Sequence, residues 1–164
     1  MADPVNIRAA VVTASDSRTL TDDVSGLRLT ELLNSSGALV IEHIVVSDDL
    51  EDLRQTLHSL TEREDIDLIL TTGGTGLGPR DNTPEATRTV IDREVPGIPE
   101  AMRRETAVKS GTSMLSRGIA GTRNRTLIIN LPGSPKGVEE CFAVIVPVLQ
   151  HAVQITVGNT SHKG

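Results

Sequence analysis

Short apolar runs and amphipathic stretches alternate along this chain. Residues 7–14 form an almost unbroken apolar run of strand length, and 39–46 form a second. Between them, 23–34 places Leu27, Leu29, Leu32 and Leu33 largely on one side of a helix, with Gly37 near its end. Residues 50–60 carry Leu50, Leu53, Leu57 and Leu60 at helical spacing. The pattern predicts a third strand over 66–71 and a helix from 84 to about 94. A short helix is expected at about 99–107, an irregular or hairpin segment at 116–121, and a buried strand at 126–130. A last helix is expected from about 135 to 153. The ends, 1–5 and the polar 158–164, are expected to be mobile tails.

Strand alternating with helix implies an α/β fold: three layers, a mainly parallel sheet with helices on both faces, and a single domain over 1–164. Ligands of such sheets bind beyond the carboxyl ends of the strands. The polar segments 15–17, 47–49, 73–81 and 132–136 each follow an expected strand, so all four should open on one edge.

The segment after the third strand carries the most chemistry. It reads Thr71-Thr72-Gly73-Gly74-Thr75-Gly76-Leu77-Gly78-Pro79-Arg80-Asp81. Its four glycines in six residues permit positive φ and close ligand approach. Successive N–H groups in such a loop make an anion-binding concavity. Arg80 and Asp81 add a cation and a hard oxygen ligand at the rim, a kit for a nucleotide phosphate and Mg²⁺. A Walker A loop would end in Gly-Lys-Ser/Thr, and this one ends in Gly-Pro-Arg. A dinucleotide fingerprint starting at Gly74 would need glycine where Pro79 stands. Thr83, Pro84 and Glu85 then read as N-cap, first helical residue and first-turn acid.

Composition narrows the field. A length of 164 residues suits one domain with a real core, and the net charge of −6 without like-charge blocks argues against nucleic acid. Phe142 is the only aromatic residue apart from histidine, so a bound ring must lie on backbone and aliphatic surface. The lone Cys141 excludes an internal disulfide, fits a reducing cytoplasm and reads as a small buried apolar residue. No leader pattern opens the chain, and the apolar stretch 142–149 is too short to span a bilayer. The four histidines are scattered, without zinc spacing or a credible Ser-His-Asp set.

Among single residues, Asp81 reads either as a helix cap or as a metal or phosphate group, and its loop favours the latter. For Asp48 the pattern leaves cap and functional acid evenly balanced, since Asp49 can cap the helix at Leu50. Asp16 and Asp23 read as bracing or capping residues. Pro132, Gly133 and Ser134, with Pro135 and Lys136, form a second loop that combines a helix start with a phosphate or ribose contact. Ser116 and Arg117 read as surface residues by pattern alone.

These motifs resemble the molybdopterin adenylyltransferase family, the Mog/MoaB-type proteins of molybdenum-cofactor biosynthesis. The likeness rests on Gly73-Gly74-Thr75-Gly76, Pro79-Arg80-Asp81, Thr83-Pro84-Glu85-Ala86-Thr87 and Arg93-Glu94-Val95-Pro96-Gly97. It continues through Met114-Leu115-Ser116-Arg117 and Leu127-Ile128-Ile129-Asn130-Leu131-Pro132-Gly133-Ser134, and covers nearly the whole chain. Asn82 and Ser47 depart from it, where the family often has valine and proline.

The resemblance implies a cytoplasmic enzyme that adenylylates molybdopterin with Mg-ATP and releases pyrophosphate. It raises Asp48 to a functional acid, paired with Asp81 as catalytic residues and Mg²⁺ ligands. It implies substrate contact by Gly73, Gly74, Thr75, Gly76, Arg80, Ser116, Pro132, Gly133 and Ser134. A homotrimer and hand-over to a molybdenum insertase follow from it, with no nucleic acid or membrane partner. Two other readings stand beside it: a trimeric pterin-binding scaffold without turnover, and an insertase-type or nucleotide pyrophosphatase relative of the same fold.

Overall fold

Successive residues of the apolar strands feed two separate cores. In the computed structural model, which describes residues 6–159, the strands are β1 (Arg8–Ala14), β2 (Leu39–Val46), β3 (Leu68–Thr72), β4 (Arg93–Glu94), β5 (Ala120–Arg123) and β6 (Thr126–Leu131). The helices are α1 (Val24–Ser35), α2 (Leu50–Thr61), α3 (Thr83–Val90), α4 (Gly97–Thr106) and α5 (Pro135–Thr156). One sheet holds the strands in the order β2-β1-β3-β6-β5-β4, parallel through β6 and antiparallel at β5 and β4.

Val11 pairs with Leu70, and Leu70 with Ile129, so same-face side chains line up across the sheet. They meet Leu29, Leu33, Phe142, Ile145 and Leu149 from α1 and α5 in the first core. The alternate residues Ala10, Val12, Ile69 and Ile128 meet Leu53, Leu57, Ala86 and Val90 from α2 and α3 in the second. Burial on both faces explains why these strands read as continuous apolar runs. The expected three-layer α/β architecture is the observed one.

Some local expectations were wrong. α3 ends at Val90, and Arg93–Glu94 is a strand paired with β5. Ile91 leaves the helix with φ −70° and ψ 146°, and Val95 before Pro96 is disfavoured in helical conformation. Thr83 does not cap α3. It is the first helical residue, and its Oγ1 donates to Gly73 O at 2.9 Å. Asn82 holds the cap position without a side-chain cap bond and sends its Nδ2 to Asp48 O at 2.9 Å. Segment 116–121 leads from a 3-10 turn, Gly111–Leu115, into β5. Of the expected tails, only Gly158 and Asn159 lie within the described residues; Gly158 N–H donates to Ile155 O at the end of α5.

α5 is long and apolar enough to cross a membrane by length and composition. Its buried stripe, including Val138, Phe142, Ile145, Leu149 and Val153, belongs to the first core. It is a core helix of an α/β domain.

A buried polar knot sits where β1 and β2 meet α1. Asp23 is fully buried. One of its carboxylate oxygens, Oδ1, caps α1 by accepting from Gly26 N–H at 3.0 Å. The other, Oδ2, takes the Thr13 hydroxyl at 2.5 Å and lies 2.7 Å from His43 Nε2. The capping role was expected; the joining of Thr13 and His43 was not. This is no nucleophile relay, because the threonine proton goes to the carboxylate and not to the histidine. Replacing Asp23 by alanine removes a cap and strands buried Thr13 and half-buried His43. The expected loss is about 3 kcal/mol of unfolding free energy. Urea denaturation checks it, and a loss below about 1 kcal/mol would reduce Asp23 to an ordinary cap.

Candidate active site

Parallel strands that end together bring their following loops together. The loops after β1, β2, β3 and β6 converge at one edge of the sheet, as the spacing of polar segments implied. Two cavities open there. One of about 260 Å³ is lined by Asp48, Asp81, Gly73, Gly74, Gly133 and Arg18, among others. The other, of about 280 Å³, is lined by Thr75, Gly76, Ser116, Pro132 and Ser134 together with aliphatic residues such as Pro99, Met102 and Leu115. Gly133 joins them, since a Cβ on it would lie 3.2 Å from Gly73 Cα. Ten of the expected site residues therefore divide between two adjoining cavities. Arg80 lines neither.

The glycine loop is held open from outside. Gly73 and Gly74 take positive φ, +92° and +67°, a conformation that glycine adopts without steric cost. Gly76 and Gly78 do not; a Cβ on either would meet Asp81 Oδ2 at 2.9 Å. Thr83 holds Gly73 O, and Arg117 holds the far side: its N–H donates to Thr75 O at 2.9 Å, its Nε to Gly76 O at 2.8 Å and its Nη2 to Asp81 O at 2.8 Å. Glu85 pairs with the same guanidinium. Among the described residues, the N–H groups of Gly74, Thr75 and Gly76 donate to no protein acceptor. That is the anion-binding arrangement such a loop can offer.

The acids form a braced group. Asp48 does not cap α2; Asp49 does, accepting from Glu51 and Asp52 N–H. Instead Asp48 Oδ2 accepts from Asp16 N–H at 3.0 Å, and Asp48 N–H donates to Asp16 Oδ1 at 3.0 Å. Arg80 grips both oxygens of Asp16 at 2.9 and 3.0 Å, which holds that carboxyl below its usual range. Asp48 is pushed up, chiefly by burial, with Asp16 and then Asp81 adding negative charge. Asp81 does not cap α3; its Oδ2 accepts from Gly78 N–H at 2.8 Å.

Among the described residues, no group of three or more His, Cys, Asp or Glu could hold a metal. Two carboxylates, Asp48 and Asp81, line one cavity; a cation that takes one or two carboxylates and keeps several waters, as Mg²⁺ does, would need no more than these from the protein. Such a cation would relieve the repulsion at Asp48.

Sequence reasoning missed several lining residues. Thr13 and Arg18 flank the polar segment that ends β1, so its neighbourhood was the available signal. Pro99 and Met102 sit on α4 with no pattern to mark them. Asn130, expected only as strand, lines the second cavity and ties it together. Its Nδ2 donates to Thr71 and Thr87 hydroxyls at 3.1 and 3.0 Å, and its Oδ1 accepts from Ile119 N–H at 3.2 Å. Cys141 also lines that cavity, and burial pushes its thiol up to about 11.

Comparison with known proteins agrees with this geometry. Residues 10–151 match the family model described as a probable molybdopterin binding domain. A molybdopterin adenylyltransferase of Helicobacter pylori strain J99 is 38% identical over 157 residues, covering 93% of this chain and 89% of that protein. The molybdenum cofactor biosynthesis protein B of Bacillus cereus is 38% identical over 151 residues, covering 90% and 89%. The crystal structure of the molybdopterin biosynthesis enzyme MoaB from Thermus thermophilus superposes with a TM-score of 0.85 at 44% identity, covering 93% of this chain and 97% of that one. Fold, loop chemistry and relatives converge, and the chain belongs to the molybdopterin-binding domain family, among the Mog/MoaB-type proteins of molybdenum-cofactor biosynthesis.

Proposed function

We propose that this protein is a single-domain, cytoplasmic molybdopterin adenylyltransferase that uses ATP as co-substrate. The observation that carries the reading is the cavity in which Asp48 and Asp81, from different loops, face the Gly73–Gly74 backbone. In the reaction, an oxygen of the terminal phosphate of molybdopterin attacks the α-phosphorus of ATP. The bond from that phosphorus to the β-phosphate oxygen breaks, and pyrophosphate leaves.

Residues of the chain then supply position and charge without a covalent intermediate. Asp48 and Asp81 would hold Mg²⁺. Bound there, Mg²⁺ offsets charge on the reacting phosphates. The N–H groups of Gly74, Thr75 and Gly76 donate to phosphate oxygens, with Gly73 and Gly133 letting backbone and ligand approach closely. Arg80 acts through Asp16, which braces Asp48. The second cavity suits a flat ring against Pro99, Met102 and Leu115, with Ser116 and Ser134 at its polar edge beside Pro132.

The proposal extends to a homotrimer that passes its product to a molybdenum insertase. Val108 and Met114 are exposed apolar side chains suited to burial between subunits. Light scattering is expected to give three times the chain mass of 17.5 kDa; a monomer mass would remove the trimer.

The central test is to incubate the protein with molybdopterin and Mg-ATP and detect the adenylylated pterin. Asp81→Asn should cut that transfer on the order of a hundredfold or more. Its fold should persist, because the amide oxygen can still accept from Gly78 N–H. A fully active variant would remove Asp81 from the chemistry.

Asp48→Asn tests the charge balance. A carboxyl raised in the folded state favours folding less once pH climbs above its ordinary range, where the unfolded chain ionises more readily. The asparagine variant should therefore melt at or above the wild-type temperature at pH 7, and this advantage should vanish in acid. It should also lose Mg²⁺-dependent transfer. A variant that melts lower at pH 7 than wild type would show that Asp48 is a structural acid.

A further inference from the structure

The cations around the cleft are not equally available. Arg80 is spent on Asp16, with both Nε and Nη2 engaged. Arg117 is locked between the glycine loop and Glu85. Lys136 faces Glu140 at 3.8 Å and lines the second cavity. Arg18 differs from all three.

Arg18 stands between two cavities: one it lines with Ser15, His43 and Ser47, and the other with Asp48, Asp81, Gly73, Gly74 and Gly133. A hydroxyl-closed turn places it there. Ser15 Oγ accepts the N–H groups of Ser17 and Arg18 at 3.3 and 3.1 Å, turning the chain directly after β1. The guanidinium is anchored by one nitrogen. Nη1 donates to Ser25 Oγ at 3.3 Å and lies 3.8 Å from Asp23 Oδ1. Ser25 in turn donates to Gly133 O at 2.6 Å, so the anchor is shared with the loop that follows β6. Among the described residues, Nε and Nη2 of Arg18 have no acceptor.

A guanidinium presents its donors in a fixed fork that matches two phosphate oxygens. Here Nη1 is anchored, and Nε and Nη2 are left unpaired among the described residues. Arg18 borders a cavity that already holds two carboxylates and that, on the reading above, receives a triphosphate. Among the residues that line this cavity, Arg18 is the only basic one.

We infer that Arg18 is the phosphate-binding side chain of this site, and that its guanidinium grips the pyrophosphate moiety of the nucleotide through the donors that Ser25 leaves free. Arg18 neutralises charge on the group that departs, while Asp48 and Asp81 act at the metal. The inference rests on the adenylyl-transfer reading for the identity of the anion, and on the cavity alone for the anion site.

The test uses the full chain and inorganic pyrophosphate. Calorimetry measures its affinity for wild type, Arg18→Gln and Arg18→Lys, each with EDTA and with Mg²⁺, over a range of salt. The glutamine variant should bind about tenfold to a hundredfold more weakly, with a shallower salt dependence. The lysine variant should fall between, since a point charge replaces a fork. A glutamine variant that binds as tightly as wild type would overturn the inference, as would wild type that binds no pyrophosphate. Transfer assays on the same preparations separate the two ideas. Wild type that grips pyrophosphate through Arg18 but adenylylates nothing would remove the transferase reading and leave the anion site. Wild type that transfers normally, with an equally active glutamine variant, would remove the Arg18 inference alone.

Discussion

Backbone packs on backbone where the loops after β1, β3 and β6 meet, and the site depends on that contact. A Cβ on Gly73 would lie 2.6 Å from Ala14 O, and a Cβ on Gly133 would lie 3.2 Å from Gly73 Cα. Side chains at these points would wedge the three strand ends apart. Side-chain hydrogen bonds then fix the contact: Thr72 Oγ1 to Pro132 O at 2.7 Å, Ser25 Oγ to Gly133 O at 2.6 Å, and Thr83 Oγ1 to Gly73 O at 2.9 Å. The two buried cores beneath hold the strands in register, so small loop residues can be placed to within hydrogen-bond distance. Rigid strands carrying polar loops are the usual way an α/β sheet positions a ligand.

Charge is arranged around the same contact. The chain is acidic overall, and its cleft gathers acids, yet the reaction proposed for it joins two anions. The conflict is resolved locally. Asp16 is neutralised by Arg80, the glycine loop leaves the N–H groups of Gly74, Thr75 and Gly76 unpaired among the described residues, and Asp48 is left with a charge that its surroundings disfavour. Perturbed carboxyls in a cleft are a mark of a functional site. A cation bound beside Asp48 would offset part of that unfavourable charge.

The fold was legible because its signals are local and repeated. Leucines at helical spacing marked α2, and both-face burial marked β1, β3 and β6 as unbroken runs. β4 escaped because two residues, Arg93 and Glu94, carry no periodicity and are strand only through pairing with β5. The cap of α3 was misplaced by one residue because Thr83 has a competing partner, Gly73 O, that no sequence window contains. The polar ends of strands pointed to the correct edge of the sheet. What they could not give was the partnering across loops: Asp16 with Asp48, Arg117 with the glycine loop, or Thr13 and His43 with Asp23. Those pairs are between 10 and 42 residues apart in sequence and are created by topology. Arg18 was passed over for the same reason, since its value lies in which of its donors are left unused.

The central claim is that Asp48 and Asp81, carried by separate loops, hold a single Mg²⁺ against the phosphates of a nucleotide lying on Gly73 and Gly74. A crystal structure of the protein with Mg²⁺ and a non-hydrolysable α,β-methylene analogue of ATP tests it directly. The account predicts one octahedral cation between the two loops. Its carboxylate oxygens should be at about 2.0–2.1 Å or one water removed, and a phosphate oxygen should complete the shell. A nucleotide bound elsewhere on the sheet, or bound at the glycine loop with the cation touching neither Asp48 nor Asp81 even through water, would contradict it.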